Sequence, residues 1–320
     1  MPVKNAGIFL EESISSIVNQ TYTNWELIAI NDHSDDNSLE ILKQWSTSHP
    51  NIKLYENTNF GIIPALRIGL NRCKGQYITR MDADDIMDKN KLLFLYNELS
   101  IKGKGWIATG LVKYFASNKT LNEGYIKYEN WINQLTLNGD NFKEIYKECV
   151  IPSPCWMMLK EDLISIGGFN EDTYPEDYDL AFRMYAHKLK ITAVKKVIHY
   201  WRDYPQRTSR NDPKYSNNTF ASLKTKFFIK NDLDKNKELI LWGAGKKGKQ
   251  IAKILIAEKI NFNWVTENPK KINKTIYDKK IINSDILRKN KSIQVIIAIS
   301  SKDFNPFLHI NETGIIFYFC

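Results

Sequence analysis

Apolar residues Leu10, Ile14, Ile17 and Val18 recur at helical spacing, so the chain opens with a helix that buries one face. The run "WELIAIND" (25–32) is apolar through its middle and reads as a strand covered on both sides. The same alternation then repeats, with "SLEILKQWS" (38–46) as helix, "NIKLYEN" (51–57) as strand, "IPALRIGLNRC" (63–73) as helix and "GQYITRMD" (75–82) as strand. A βαβα series predicts an α/β fold with a mainly parallel central sheet. In such sheets ligands bind outside the carboxyl ends of the strands, where Asp32 and residues 82–85 both fall. After a basic helical stretch, "SLKTKFFIKNDLDKNK" (222–237), the pattern restarts with "ELILWGAGKKGKQIAKILIAE" (238–258), an apolar strand, a glycine turn and an amphipathic helix. The expected organisation is a first domain over 1–212, a helical linker over 213–237 and a small Rossmann-like α/β domain over 238–320.

Length and composition agree with this division. A chain of 320 residues has room for two cores, and 43% hydrophobic content with 12% aromatics excludes disorder. No window approaches the roughly 18 consecutive apolar residues of a membrane span. The cysteines, Cys73, Cys149, Cys155 and Cys320, show neither metal-type pairs nor a disulfide framework, which fits a reducing cytoplasm. A formal charge of +9 favours phosphorylated ligands or peripheral contact with the anionic inner face of a membrane. Nucleic acid is not expected, because no basic-aromatic binding motif is present.

Candidate chemistry centres on "TRMDADDIMDKNKL" (79–92), where four acidic residues fall within seven positions, 82–88. Carboxylates so close repel one another and need a cation, backbone donors or solvent for relief. An isolated "DADD" would read as an exposed turn or helix cap. At the end of a strand in a parallel sheet, where ligands bind, a bound cation is the competing reading. A second acidic group, "PEDYD" (175–179), opens a helix, where the dipole favours acids, so a capping role is one reading of Asp177.

The stretches "MPVKNA", "NQTYTNWELIAINDHSDD", "GQYITRMDADD", "PSPCWMMLKEDLISIGGFN" and "PEDYDLAFRM", in that order over residues 1 to about 230, resemble the family 2 glycosyltransferases of GT-A fold. The resemblance implies a nucleotide-diphosphate-sugar transferase fold. It places Pro2, Lys4 and Asn5 beside the nucleotide, Asp32 near the base, Arg80 and Asp82 with the donor, and Asp82 and Asp84 as the DxD pair. Chemistry asks for the same residue types. A hard divalent cation, Mg²⁺ or Mn²⁺, neutralises the departing diphosphate, held by Asp84 with Asp82 or Asp85 while another of the three accepts from ribose hydroxyls. Asp177 is implied as catalytic base for one inverting displacement, with Glu176 orienting it or binding acceptor. Arg202, Arg207 and Arg210 of "HYWRDYPQRTSR" are candidate phosphate or acceptor contacts. Tyr204 stands where some members carry His, and Arg67 where many carry Asn. Members also have an apolar strand before the P-x-x-N turn, whereas here Met1 fills its last position; the expectation is that a few upstream residues complete it.

In the second segment "GAGKKG" places Gly243, Gly245 and Gly248 in the G-x-G-x-x-G pattern between strand and helix, and Glu267 follows Gly243 by 24 residues, near the spacing of a ribose-binding acid. A nucleotide pocket and a purely structural turn both fit. The reading that emerges is an inverting glycosyltransferase moving a sugar to a glycan or lipid-linked acceptor in cell-envelope polysaccharide synthesis. Two alternatives are a nucleotide-sugar-binding protein without turnover and a dinucleotide-dependent oxidoreductase built on the second segment.

Overall fold

The computed structural model describes residues 1–116, 121, 123–205, 207, 220–288, 292–301, 304–306 and 314–320. They divide into two compact units, Met1–Lys143 with Val150–Asp212, and Glu144–Cys149 with Pro213–Cys320.

The first unit begins with β1 (Pro2–Val3), α1 (Gly7–Val18), β2 (Leu27–Asn31), α2 (Ser38–Ser48) and β3 (Ile52–Glu56). Its three strands pair in parallel in the order β1-β2-β3, and all five residues of β2 are buried, as its unbroken apolar run requires. Then come α3 (Ile62–Arg72), β4 (Tyr77–Thr79), β5 (Ile86–Met87), α4 (Lys91–Lys102), β6 (Trp106–Ala116) and α5 (Glu123–Asn138). β7 (Trp156–Leu159), α6 (Lys160–Ser165), α7 (Glu176–Ala186) and β8 (Lys190–Asp203) complete the unit. These later strands form a second sheet in the order β4-β7-β6-β8-β5. Within it β6 and β8 run parallel, while β7 pairs antiparallel with both β4 and β6. The expected single sheet is therefore two sheets, parallel in one and mixed in the other. The core combines Leu10, Ile14 and Ile17 of α1 with Leu95 and Leu99 of α4, Val112 of β6 and Ile198 of β8. The spacing that predicts α1 is thus the spacing that buries it.

One short pairing positions the chemistry. β5 contributes only Ile86 and Met87, which bridge antiparallel to Tyr200 and His199 of β8. The acidic residues lie between β4 and β5, so this clip lays residues 82–85 against the end of β8.

The second unit contains α8 (Phe220–Asn231), β9 (Glu238–Trp242), α9 (Lys246–Ala257), β10 (Asn263–Thr266), β11 (Thr275–Ile276), β12 (Lys279–Asn283), β13 (Ile293–Ile297) and β14 (Ile315–Tyr318). The sheet order is β11-β12-β10-β9-β13-β14, with every pairing parallel except β11 with β12. Its core is Ile240 and Trp242 of β9, Val265 of β10 and Val295 and Ile297 of β13, with Leu287 beneath them.

Candidate active site

Two carboxylate groups, one after β4 and one at the start of α7, are joined by a buried arginine. Arg80 donates from Nε to Asp82 Oδ1 at 2.8 Å and from Nη1 to Glu176 Oε1 at 2.8 Å. Its side chain and that of Glu176 are each 6% exposed, whereas Asp82 is 22% exposed. Burial alone would push the Asp82 carboxyl up, but the Arg80 guanidinium overrides it and holds the carboxyl below its usual range. Arg80 is thus committed to two protein carboxylates and ties the acidic loop to α7. Glu176 Oε2 is buried with no hydrogen-bond partner among the described residues.

Asp177 follows in the first turn of α7, together with Glu176 and Asp179. Asp179 accepts from Arg183 at 2.8 Å and its amide donates to the Pro175 carbonyl, so this acid serves the helix. Asp177 is partly exposed. Burial of its carboxyl, then the adjacent Glu176, push it up to about 7 against the pull of Arg80, and it also feels the charge of Asp82.

In the acidic loop the three carboxylates are not equivalent. Asp85 is fully buried and both its oxygens are taken, Oδ1 by the Arg202 amide at 2.9 Å and Oδ2 by His199 Nε2 at 3.0 Å. His199 Nδ1 in turn meets Lys91 Nζ at 3.2 Å, and the same ammonium donates to the Pro154 carbonyl. Burial and the Lys91 charge hold His199 well below its ordinary range, so the ring is neutral, donating to Asp85 and accepting from Lys91. Asp84 instead accepts from the Tyr204 hydroxyl through Oδ2 at 2.8 Å, and its other oxygen accepts no hydrogen bond among the described residues. Burial, then Asp85 and Asp82, raise the Asp84 carboxyl to about 7.

The arginines of the β8 end differ as well. Arg202 is 4% exposed, donates to the Asp84 carbonyl at 2.7 Å and to Glu12 at 2.5 Å, and stacks between Phe9 and Phe115. It is a strut between α1, the acidic loop and β8. Arg207 lies over Trp201 at 4.9 Å, and against the cost of its burial the Tyr114 hydroxyl, then Asp85 and Asp84, hold its guanidinium charged. Arg210 lies outside the described residues.

On the other side, Asp32 is 3% exposed, and its oxygens accept from Asn57 Nδ2 and the Gly61 amide, with Lys4 Nζ 4.0 Å away. Pro2 and Val3 pair with Ile30 and Asn31, placing Lys4 and Asn5 just beyond the carboxyl end of β1, beside Asp32. Asn5 has φ +49°, and its side chain accepts from the Asp35 amide, which closes the two loops on each other. Arg67 is a latch: Nε donates to the Phe169 carbonyl, and Nη2 to the Asn170 carbonyl and Asp172.

A divalent cation fits this donor set. No three described His, Cys, Asp or Glu residues form a complete metal cage, and the oxygens open to a cation belong to Asp84 and Asp82. Mg²⁺ and Mn²⁺ take one or two carboxylates and fill the remaining positions with waters and substrate phosphate oxygens, so an incomplete hard-oxygen set is the expected kind.

The sequence model of glycosyl transferase family 2 matches residues 1–167, more than half of the 320. The chain belongs to glycosyl transferase family 2. Among curated relatives, glycosyltransferase GlyA of Streptococcus pneumoniae is 27% identical over 207 residues, covering 63% of this chain and 30% of GlyA. Minor teichoic acid biosynthesis protein GgaB of Bacillus subtilis is 26% identical over 246 residues, covering 74% of this chain and 26% of GgaB. The chain therefore spans less than a third of the length of each of these two relatives. Among solved structures, a mannosyltransferase of Pyrobaculum calidifontis in complex with GDP-Man and Mn²⁺ superposes with TM-score 0.54 and 19% identity, covering 80% of this chain and 67% of that one. S. aureus TarS in complex with UDP-GlcNAc gives 0.53 and 16%, covering 79% and 70%. These likenesses show the GT-A glycosyltransferase fold.

Lys91, His199 and Tyr204 form the part of the site that sequence patterns do not reveal as such. Lys91 opens an apolar helix, and His199 lies within a strand; only the β5–β8 clip brings them to Asp85. No helix among the described residues is long and apolar enough to cross a membrane.

Proposed function

We propose that this family 2 domain transfers a sugar from a nucleotide-diphosphate donor to a hydroxyl of a glycan or lipid-linked acceptor, with inversion at the anomeric carbon, in cell-envelope polysaccharide synthesis. The observation that carries the reading is the Arg80 bridge, which sets the acidic loop and the Asp177 helix edge to edge. One side suits a diphosphate and the other a base, as a single displacement demands.

Asp32, Lys4 and Asn5 form the nucleoside side, and Asp82 takes ribose hydroxyls. Asp84 holds the divalent cation, because both oxygens of Asp85 are already committed to His199 and the Arg202 amide. When bound, the cation neutralises the charge that develops on the leaving diphosphate. Arg207 adds a forked cationic donor on the same flank. Asp177 accepts the proton of the acceptor hydroxyl as its oxygen bonds the anomeric carbon and the bond from that carbon to the diphosphate breaks. A carboxyl raised to about 7 is a stronger base than an ordinary one. The unpartnered Oε2 of Glu176 accepts a sugar hydroxyl beside it. Arg80 positions both groups from within the protein.

The structures with bound sugar nucleotides support this donor class, and the likeness to GgaB supports a cell-wall glycopolymer as acceptor. A charge of +9 suits work at the anionic inner face of a membrane. The deciding experiment is turnover of a panel of UDP- and GDP-sugars with Mn²⁺ or Mg²⁺, with the anomeric configuration of the product read by NMR. An inverted product supports the reading; a retained configuration, or binding without turnover of any donor, refutes it.

A further inference from the structure

The second unit holds a cavity of about 690 Å³ that the transfer reaction does not use. It lies at the carboxyl ends of β9, β10 and β13, lined by the 243–247 turn, Thr266 and Glu267, and Ala298 to Ser301. β9 is flanked by β10 on one side and β13 on the other, so the chain leaves β9 in one direction and later returns to its opposite edge. Such a reversal opens a crevice between the loops above the strands. The volume is that of a small-molecule site.

The three glycines of the turn are present for different reasons. Gly243 has φ +118°, and a Cβ on it would lie 2.7 Å from the Ala298 carbonyl oxygen. A Cβ on Gly248 would lie 2.0 Å from the Gly243 oxygen. Both are demanded by the protein's own packing. Gly245 is not: its φ is −79°, which any residue adopts, and a Cβ there would meet no atom within 4 Å. It is the N-cap of α9 and supplies no side-chain acceptor where Ser, Asp or Asn would stabilise the helix. The bare backbone at this point faces open space, as required where something other than the protein must come close.

Charge on the cavity wall gives the nature of that ligand. Lys246 and Lys247 occupy the first turn of α9, which holds no acid, so both ammonium groups oppose the helix dipole. Lys271 crosses from the far side to donate to the Ala244 carbonyl at 2.7 Å, which adds a third cation to the rim. An anion at the helix start satisfies the orphan amides, the dipole and the lysines together. Glu267 stands at the end of β10, where a carboxylate can accept from a ribose diol.

We propose that this cavity binds a nucleoside diphosphate, with the diphosphate on the 243–248 turn between Lys246 and Lys247 and the ribose at Glu267. The proposal rests on residues of the second unit alone and is independent of the reading given to the transfer site. The chemistry is shared by free UDP, GDP or ADP and by a dinucleotide such as NAD⁺.

Hydrogen–deuterium exchange of the full chain locates the ligand directly. With millimolar UDP, GDP, ADP or NAD⁺, in chelator to silence cation-assisted binding elsewhere, at least one nucleotide is expected to slow exchange several-fold in peptides spanning 243–250 and 264–271. Protection by the mononucleotides identifies a nucleoside diphosphate as ligand, and protection by NAD⁺ alone identifies the dinucleotide. Gly245→Val should abolish this protection while the second unit still melts cooperatively within a few degrees of wild type, because a Cβ at this position meets no protein atom within 4 Å and the change of N-cap residue costs only about 1 kcal/mol. The double variant Lys246→Glu, Lys247→Glu should do the same and leave nucleotide protection of residues 1–116 in Mn²⁺ intact. Absence of protection by all four nucleotides, or wild-type protection in both variants, overturns the proposal.

Discussion

Asp84 and Asp177 carry different halves of the proposed reaction, and single substitutions separate them. Asp84→Ala removes the carboxylate with a free oxygen in the acidic loop, so donor turnover should fall by roughly a hundredfold or more. Calorimetric titration should show that Mn²⁺ no longer strengthens nucleotide binding; an unchanged metal dependence refutes the assignment. Asp177→Asn keeps shape and removes basicity, so nucleotide affinity should stay near wild type while transfer drops at least about a hundredfold. The wild-type pH profile gives a further check. A base acts only when deprotonated, and this carboxyl is raised to about 7, so kcat/KM should rise with pH through that value and level off above it. A rate flat between pH 5 and 8 would mean that another group takes the proton.

At the scale of elements, Arg67 shows what a residue without an assigned role can do. It fastens α3 to residues 169–172, just ahead of α7, mostly through two backbone carbonyls. The ion pair with Asp172 adds little, because that carboxylate is 79% exposed. Arg67→Ala should cost about 1–2 kcal/mol of stability in denaturant titration and lower transfer more than donor binding. Lys, with one point donor in place of a fork, should not restore it.

The elements were legible where the chemistry is local. Apolar runs gave β2 and β3 and the strand and glycine turn before α9, whereas β1, only Pro2 and Val3, has no such run to announce it; the acids at strand ends marked Asp32 and residues 82–85 as candidates. What could not be read is which acid keeps an oxygen without a protein partner. Asp85 is silenced by His199, 114 residues away, through a pairing only two residues long. Nothing in "DADD" distinguishes it from Asp84. Arg80 and Arg202, candidates for ligand contact by resemblance and charge, are buried against protein acids whose proximity depends on the finished fold.

For the whole molecule, the two compact units have separate cores, one around Leu95 and Ile198, the other around Ile240 and Val295. Differential scanning calorimetry should therefore resolve two transitions. Leu95→Ala, emptying a fully buried site, should lower one of them by about 2–5 kcal/mol, and Val295→Ala should lower the other. A single transition shifted equally by both would mean that the units melt as one.

The β5–β8 clip also fixes when the site comes into being. The four acids of residues 82–88 leave the ribosome long before Tyr200 and His199, and at about 5–20 residues per second the delay is on the order of ten seconds. Through that interval the nascent chain carries the acids proposed to hold the cation without the strand that buries Asp85 and leaves Asp84 an oxygen without a protein partner. On the proposed reading, sugar-nucleotide affinity is acquired late in translation, and released chains ending before residue 190 should bind Mn²⁺ and nucleotide far more weakly than released chains extended past residue 207.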